Sequence, residues 1–164
     1  TPEQIIDNIL NRKLERSRCN LGWVYHMIDA ITNLSPKFLM AYMMGATFLS
    51  VTVDDREGAR MIFEKGLKQF PHDWSLAYRA AYHYMYEIQD ASRASELLIQ
   101  SGSNGAPQWV LSLAARLYTQ TGKALLGKSV LEDALQRDPT GEYAPLIRQR
   151  IEAINKILNS SDHP

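Results

Sequence analysis

Residues 115–139 read ARLYTQTGKALLGKSVLEDALQRDP and contain two helical stretches joined by a short turn. Small residues recur where two antiparallel helices come close, and larger apolar residues stand where the space between them is filled. Thr121-Gly122-Lys123 supplies the turn. A proline ends the second stretch because it cannot continue the helical hydrogen-bond ladder. The positions at relative spacings 0, 3, 12, 16, 19 and 24 are Ala115, Tyr118, Gly127, Leu131, Ala134 and Pro139.

The same order of small and large residues occurs twice upstream. One unit, with one extra residue in its turn, has Ala81, Tyr84, Ala94, Leu98, Ser101 and Pro107. The other, with two extra residues in its turn, has Gly45, Phe48, Ala59, Phe63, Gly66 and Pro71. Together with Pro36, the closing prolines lie 35, 36 and 32 residues apart. A proline-closed period of about 34 residues predicts an all-α protein, a right-handed α-solenoid of antiparallel helix pairs.

This pattern resembles the tetratricopeptide repeat (TPR) family, and the chain is similar to bacterial TPR proteins. The resemblance covers residues 37–139, with lengthened turns and without the family's usual tryptophan early in each first helix. It implies a stack of helical hairpins whose concave face binds a segment of another protein. The chaperone-binding members of the family hold a terminal carboxylate with lysine and asparagine side chains. Tyrosine and alanine stand at the corresponding positions of this chain, so that activity is not expected.

The period predicts a single repeat domain over residues 1–164. Residues 1–35 form a degenerate helix pair, three repeats follow at 36–71, 72–107 and 108–139, and residues 140–159 form a capping helix. The capping helix is predicted from one apolar stripe with polar residues on its other faces, as solenoids need at an open end. The stripe consists of Ile147, Ile151, Ile154 and Leu158.

Composition excludes some classes of partner and leaves the compartment open. Eighteen basic and eighteen acidic residues cancel, so nucleic acid is not an expected partner. No apolar run reaches the length of a membrane-spanning helix, so this segment is not expected to insert directly into a membrane. Cys19 stands alone and forms no intrachain disulfide. A soluble location is expected, either cytoplasmic or bacterial periplasmic and envelope-associated, and an upstream signal or anchor before Thr1 stays open.

The motifs that suggest chemistry are better explained by structure. Residues 122–129, GKALLGKS, match the phosphate-loop pattern, but helical rather than strand periodicity precedes them. Asp54, Asp55 and Glu57 can cap the helix that follows, with Asp54 or Asp55 as the cap and Glu57 reaching back, without any cation. The histidines have no carboxylate or cysteine at metal-ligand spacing. The sequence therefore predicts no catalytic residue, no cofactor and no metal, and a protein that is not an enzyme.

A protein or peptide partner is the predicted ligand, in the form of an apolar or amphipathic segment. Side chains of the first helix of each pair that turn away from the second helix point into the groove, which is rich in aromatic residues. The predicted binding residues are Tyr42, Leu49, Tyr78, Tyr82, Met85, Trp109 and Arg116. Two alternatives remain open: a self-associating structural module, and the interaction domain of a larger membrane-anchored protein. It is also open whether some of these tyrosines are buried between repeats.

Overall fold

The computed structural model describes residues 22–161, and every regular element in that range is helical. The all-α prediction is therefore confirmed. The eight α-helices of these residues are α1 (Trp23–Leu34), α2 (Leu39–Phe48), α3 (Arg56–Gln69), α4 (Trp74–His83), α5 (Ala91–Ser103), α6 (Gln108–Gln120), α7 (Ala124–Arg137) and α8 (Ala144–Ser161). The predicted first helix of the amino-terminal pair lies outside the described residues.

The chain divides into two compact units. An amino-terminal unit comprises Thr1–Pro71 with Tyr86–Ile88, and a carboxy-terminal unit comprises His72–Met85 with Gln89–Pro164. The four repeat-closing prolines all lie outside the helices, in the connections before α2, α4, α6 and α8. The predicted capping helix is present as α8, and it begins at Ala144 rather than at residue 140 because residues 139–143 form a turn.

In the amino-terminal unit, α1 and α2 run antiparallel. Ile28 of α1 packs directly over Gly45 of α2, where an added Cβ would lie 2.7 Å from the isoleucine Cγ2. Nearer the connection, the Tyr42 hydroxyl donates to the carbonyl of Thr32 at 3.2 Å. Burial, and secondarily the carboxylate of Asp29, raises the pKa of Tyr42. The hydroxyl therefore stays protonated and remains a donor inside the unit.

One lysine joins α3 to α1 in the same unit. The Lys65 ammonium lies 2.7 Å from an Asp29 carboxylate oxygen, 2.7 Å from the Thr32 hydroxyl and 2.7 Å from the Asn33 side-chain oxygen. Lys65 and Asp29 are both only about one-third exposed, so their ion pair is partly shielded from solvent. Hydrogen bonds to a charged group are stronger than neutral ones, and these fix how α3 lies against α1.

In the carboxy-terminal unit, consecutive helices run antiparallel from α4 to α7. The Ser101 hydroxyl near the end of α5 donates to the carbonyl of Trp74 at the start of α4, at 2.8 Å. Gly102 faces Leu111 near the start of α6. The predicted small-residue contact is confirmed for α6 and α7, where an added Cβ on Gly127 would lie 2.8 Å from the Ala115 carbonyl oxygen. The helices approach backbone to backbone at this point.

The lengthened turns contain a π-helical segment that continues α2 or α4. These segments are Leu49–Val53 and Tyr84–Ile88, and each ends in a residue with positive φ, Asp54 (58°) or Gln89 (62°). Of the two predicted candidates, Asp54 and Asp55, the cap of α3 is Asp55, whose carboxylate accepts from the Gly58 N–H at 2.8 Å. The Asp55 N–H itself donates to the Leu49 carbonyl at 2.9 Å, and Glu57 pairs with Arg60 one turn further along α3. Asp73 and Asp90 cap α4 and α5 in the same way as Asp55.

Aligning the two π-helical segments corrects the predicted register of α2. With an offset of 35 residues, Ala46 is equivalent to Ala81 and Leu49 to Tyr84, and all four side chains are buried. The sequence pattern had placed Gly45 and Phe48 there, but Phe48 is 48% exposed. The first repeat therefore has one extra residue in its turn, as the second has, and not two.

We expect Gly127→Leu to lower the free energy of unfolding by about 1–3 kcal/mol, the usual range for overpacking. The added side chain meets the α6 backbone, which cannot move aside as a flexible side chain can. Ser129→Leu adds the same side chain to an exposed position of α7 and serves as the control, with a change within about 0.5 kcal/mol. Urea unfolding measures both. Equal losses in the two variants would contradict the close contact.

Gly122 and Gln89 occupy equivalent turn positions with positive φ. Removing glycine at the first and introducing it at the second should therefore change the free energy of unfolding in opposite directions. Gly122 has φ +77° and open space where a Cβ would lie, so Gly122→Ala should lower the free energy of unfolding through backbone strain alone, by about 1–2 kcal/mol. Gln89→Gly removes such strain and should raise it, by less than about 1 kcal/mol because glycine also gains freedom in the unfolded chain. Thermal unfolding followed by circular dichroism checks the pair. A neutral Gly122→Ala would be incompatible with the positive φ.

Candidate protein-binding surface

Five of the predicted binding residues lie in the carboxy-terminal unit, on α4 with its π-helical extension and on α6. The half-buried Tyr78 ring of α4 meets the Trp109 ring of α6 edge to face, with centroids 5.3 Å apart and planes at 85°. This contact connects the two helices through their side chains. Tyr82 is 51% exposed, Arg116 is exposed and Met85 is half-buried. The structure therefore places these side chains at the surface of one unit, with Tyr82 and Arg116 the most accessible.

The other two predicted residues, Tyr42 and Leu49, are fully buried in the amino-terminal unit. The Tyr42 ring packs edge to face on Phe70 at 5.7 Å, and Leu49 fills the space that Tyr84 fills in the next repeat. Their assignment to an accessible groove is therefore wrong. One residue of register rotates a helical position by about 100°, and the predicted register of α2 was wrong by that one residue.

Within residues 22–161, the largest group of exposed large apolar side chains lies on α1 and α2, and it was not predicted. Each helix carries a row of large apolar side chains spaced four, four and three residues apart, which is one helical face. The α1 row is Trp23, Met27, Ile31 and Leu34, and the α2 row is Met40, Met44, Phe48 and Val51, the last in the π-helical extension. Their exposed fractions run from 38% at Ile31 to 85% at Leu34.

A signal for these rows was present in the sequence. α2 reads LMAYMMGATF, without a charged residue and without an apolar side distinct from a polar one. The sequence pattern predicts that Tyr42 and Leu49 of this helix face the groove. In the structure one face of α2, with Tyr42 and Ala46, is buried, and the opposite face is exposed.

A partly open cavity of about 140 Å³ lies in the carboxy-terminal unit among α6, α7 and α8. Its apolar lining comes from Ala115, Leu131, Ala153, Ile154 and Ile157, and its polar residues are Arg116, Thr119 and Arg150. Thr119 donates to the Ala115 carbonyl at 2.9 Å and is satisfied within its own helix. The Nε of Arg150 is buried and has no hydrogen-bond partner among residues 22–161. Sequence reasoning missed this cavity because it depends on how α8 lies against α6.

The structure accounts for the apparent phosphate loop as a helical hairpin. Helix α6 occupies the place where a strand is required, and residues 124–129 are already within α7. The Lys128 Nζ lies 3.7 Å from the Oε1 of Glu132, one turn further along the same helix. Over residues 22–161, no three histidine, cysteine or acidic side chains are grouped to hold a metal ion. In the same range, every helix is too short or too polar to cross a membrane.

Comparisons of the chain with protein-family models, with curated proteins and with solved structures returned no match.

The geometry of α4 separates the structural role of Tyr78 from the accessible role of Tyr82. Tyr78→Ala removes a ring contact and half-buried area, so we expect a loss of about 1–3 kcal/mol in the free energy of unfolding. Tyr82→Ala, the matched change one turn away at a more exposed position, should alter it by less than about 1 kcal/mol. Urea unfolding distinguishes them. A larger loss for Tyr82→Ala would place its ring in the core instead.

Proposed function

We propose that the chain is a non-enzymatic protein-interaction module of TPR-like helical hairpins, arranged as a right-handed α-solenoid. The regularity of the described units supports the repeat. Ala46, Ala81 and Ala115 occupy equivalent buried positions of α2, α4 and α6, and Leu49, Tyr84 and Tyr118 are the large residues beside them. The same connections recur between helices, with an aspartate capping α3 and α5 in the first two repeats.

The exposed apolar rows of α1 and α2 are the observation that carries the binding function. Soluble proteins seldom expose large contiguous apolar patches unless they contact another molecule. The α1 and α2 rows hold eight large apolar side chains and no charge, and three of the eight are methionines, which adapt to the shape of a partner. The two helices pack against each other, so the rows belong to neighbouring elements of one unit.

The occupant we propose for these rows is an amphipathic helix of a partner protein. The surface consists of helices whose backbone groups are bonded within each helix, so it offers no edge to which an extended strand could pair. An extended peptide would bury its own N–H and C=O groups against apolar side chains without partners. A helix satisfies its backbone internally and presents apolar residues at spacings of three and four, which match those of the rows.

Tyr82 and Arg116, with Met85 and the Tyr78–Trp109 ring pair, form a second candidate contact surface in the carboxy-terminal unit. Aromatic residues, methionine and arginine are enriched in protein interfaces. Tyr82 and Arg116 occupy equivalent positions of α4 and α6, three residues before the half-buried Met85 and Thr119.

Site-specific photo-crosslinking tests the rows. Benzoyl-phenylalanine at Met44 or Phe48 should crosslink, in lysate of the organism that makes the protein, to a helical segment of one partner. The same group at Lys68 or Gln69, exposed polar positions of α3, serves as the control. A synthetic peptide of the crosslinked segment should then bind the wild-type chain, and at least tenfold more weakly the variant Met44→Glu/Phe48→Glu.

Each other outcome overturns a stated part of the proposal. Crosslinks from the rows to a second copy of this chain would identify self-association, and light scattering would then show a dimer that Met44→Glu/Phe48→Glu dissociates. Equal crosslinking from the rows and from the α3 controls would mean that the rows are not the binding surface. A crosslinked segment that binds without forming a helix would overturn the proposed form of the ligand.

A further inference from the structure

The cavity among α6, α7 and α8 combines an apolar floor with two arginines at its sides. Leu131 and Ile154 are buried beneath it, and Ala153 and Ile157 remain exposed beside it. Arg116 belongs to α6 and Arg150 to α8, so the positive charges come from two of the three helices that border the cavity. The site is therefore amphipathic, with a nonpolar volume next to cationic donors.

Neither guanidinium has a hydrogen bond or an ion pair with any residue in the range 22–161. The lining contains no carboxylate, and its remaining polar group, the Thr119 hydroxyl, already donates within α6. A buried guanidinium N–H without an acceptor is costly. This Nε is closed to solvent, so a ligand in the cavity would meet the charge of Arg150 through the other guanidinium nitrogens. The unmatched charge thus points to a ligand that carries a negative group.

The volume limits the apolar part of such a ligand. An apolar cavity of about 150 Å³ in another protein accepts benzene, so one of about 140 Å³ accommodates a single leucine or phenylalanine side chain. Arginine forms its strongest hydrogen bonds with carboxylates, often through two parallel N–H···O contacts. A leucine or phenylalanine next to a glutamate or aspartate satisfies both parts of the site.

We propose that this cavity binds an acidic–apolar pair of neighbouring residues in a partner peptide. The leucine or phenylalanine side chain enters between α6 and α8, and the side-chain carboxylate of the adjacent glutamate or aspartate bonds to Arg116 and Arg150. The inference deepens the proposed function by naming the chemistry of a ligand, and it rests on that function.

Amidated dipeptides test the site without knowledge of the natural partner. The probe is acetyl-Glu-Leu-amide, and the reporters are the methyl resonances of Ile154 and Ile157 in the full chain. We expect these resonances to shift and saturate with the probe. Acetyl-Gln-Leu-amide, which lacks the charge, and acetyl-Glu-Ala-amide, which lacks the apolar body, should each bind at least fivefold more weakly. The free acid acetyl-Gln-Leu distinguishes a terminal carboxylate from a side-chain carboxylate.

Two variants connect the binding to the cavity. Arg116→Gln changes an exposed residue and should weaken acetyl-Glu-Leu-amide about three- to tenfold, with no effect on acetyl-Gln-Leu-amide. Ala153→Phe places a ring over the cavity from an exposed position of α8 and should abolish the shifts. Lys156→Gln removes an exposed charge of α8 outside the lining and should leave the affinity unchanged.

Several results would overturn the inference. An absence of saturable shifts up to the solubility limit of the probe would remove the cavity as a binding site. Equal affinity for the glutamate and glutamine probes would remove the role of the arginines. Tighter binding of the free acid than of the glutamate probe would assign the site to a terminal carboxylate instead. None of these results alters the crosslinking from Met44 and Phe48, so a failure here is distinguishable from a failure of the proposed function.

Discussion

The contact between Gly127 and the Ala115 carbonyl is the constraint on which the carboxy-terminal unit depends. Without a side chain on Gly127, the α6 and α7 backbones come close enough for Leu131 and Ala134 of α7 to be buried. Because α6 and α7 contact each other through one face, the other faces of each helix can pack against further helices. Helix α6 thus packs on α5, on α7 and more lightly on α8. A hairpin of this kind cannot bury all its apolar residues alone, which is why the units are built from several hairpins.

The need of each hairpin for neighbouring helices also accounts for the apolar side chains exposed on α1 and α2. In the carboxy-terminal unit, α5 and α6 have helices on both sides, and no leucine or isoleucine of these two helices is among the exposed large apolar residues. In the amino-terminal unit, α1 and α2 use one face for each other and for α3, and their opposite faces hold apolar rows without a described neighbour. The rows are the faces on which we propose that a partner helix binds.

Much of the fold could be predicted from the sequence, because prolines, caps and small residues act locally. The prolines mark connections, Asp55 caps its helix as expected, and Gly127 lies at the predicted contact. The register of α2 could not be predicted because its pattern is ambiguous. Gly45 and Ala46 are both small, Phe48 and Leu49 are both large, and a count of turn residues cannot reveal where a π-helical segment absorbs the extra one.

The candidate site was predictable only where it depends on a single helix. Tyr82 and Arg116 were predicted to face the groove from their equivalent positions in the aligned units, and they are exposed. Tyr42 and Leu49 were misplaced with the register of α2. The cavity needed more information, since α6 contributes Arg116 and α8, 34 residues later, contributes Arg150. Sequence periodicity gives the face of each helix, but it does not give the distance between two helices.

The turns show how an extra residue is accommodated without disturbing these surfaces. Leu49, Tyr84 and Tyr118 each fill the space between paired helices, and each also provides the carbonyl that accepts the N–H of the residue before the next helix. Those N–H groups belong to Asp55, Asp90 and Lys123, at 2.9, 2.9 and 2.7 Å. One residue thus fixes both the packing of its helix and the closure of its turn. The extra residue lies after that point in the first two repeats. Side chains before it, among them Tyr82, keep the orientation that their own helix gives them.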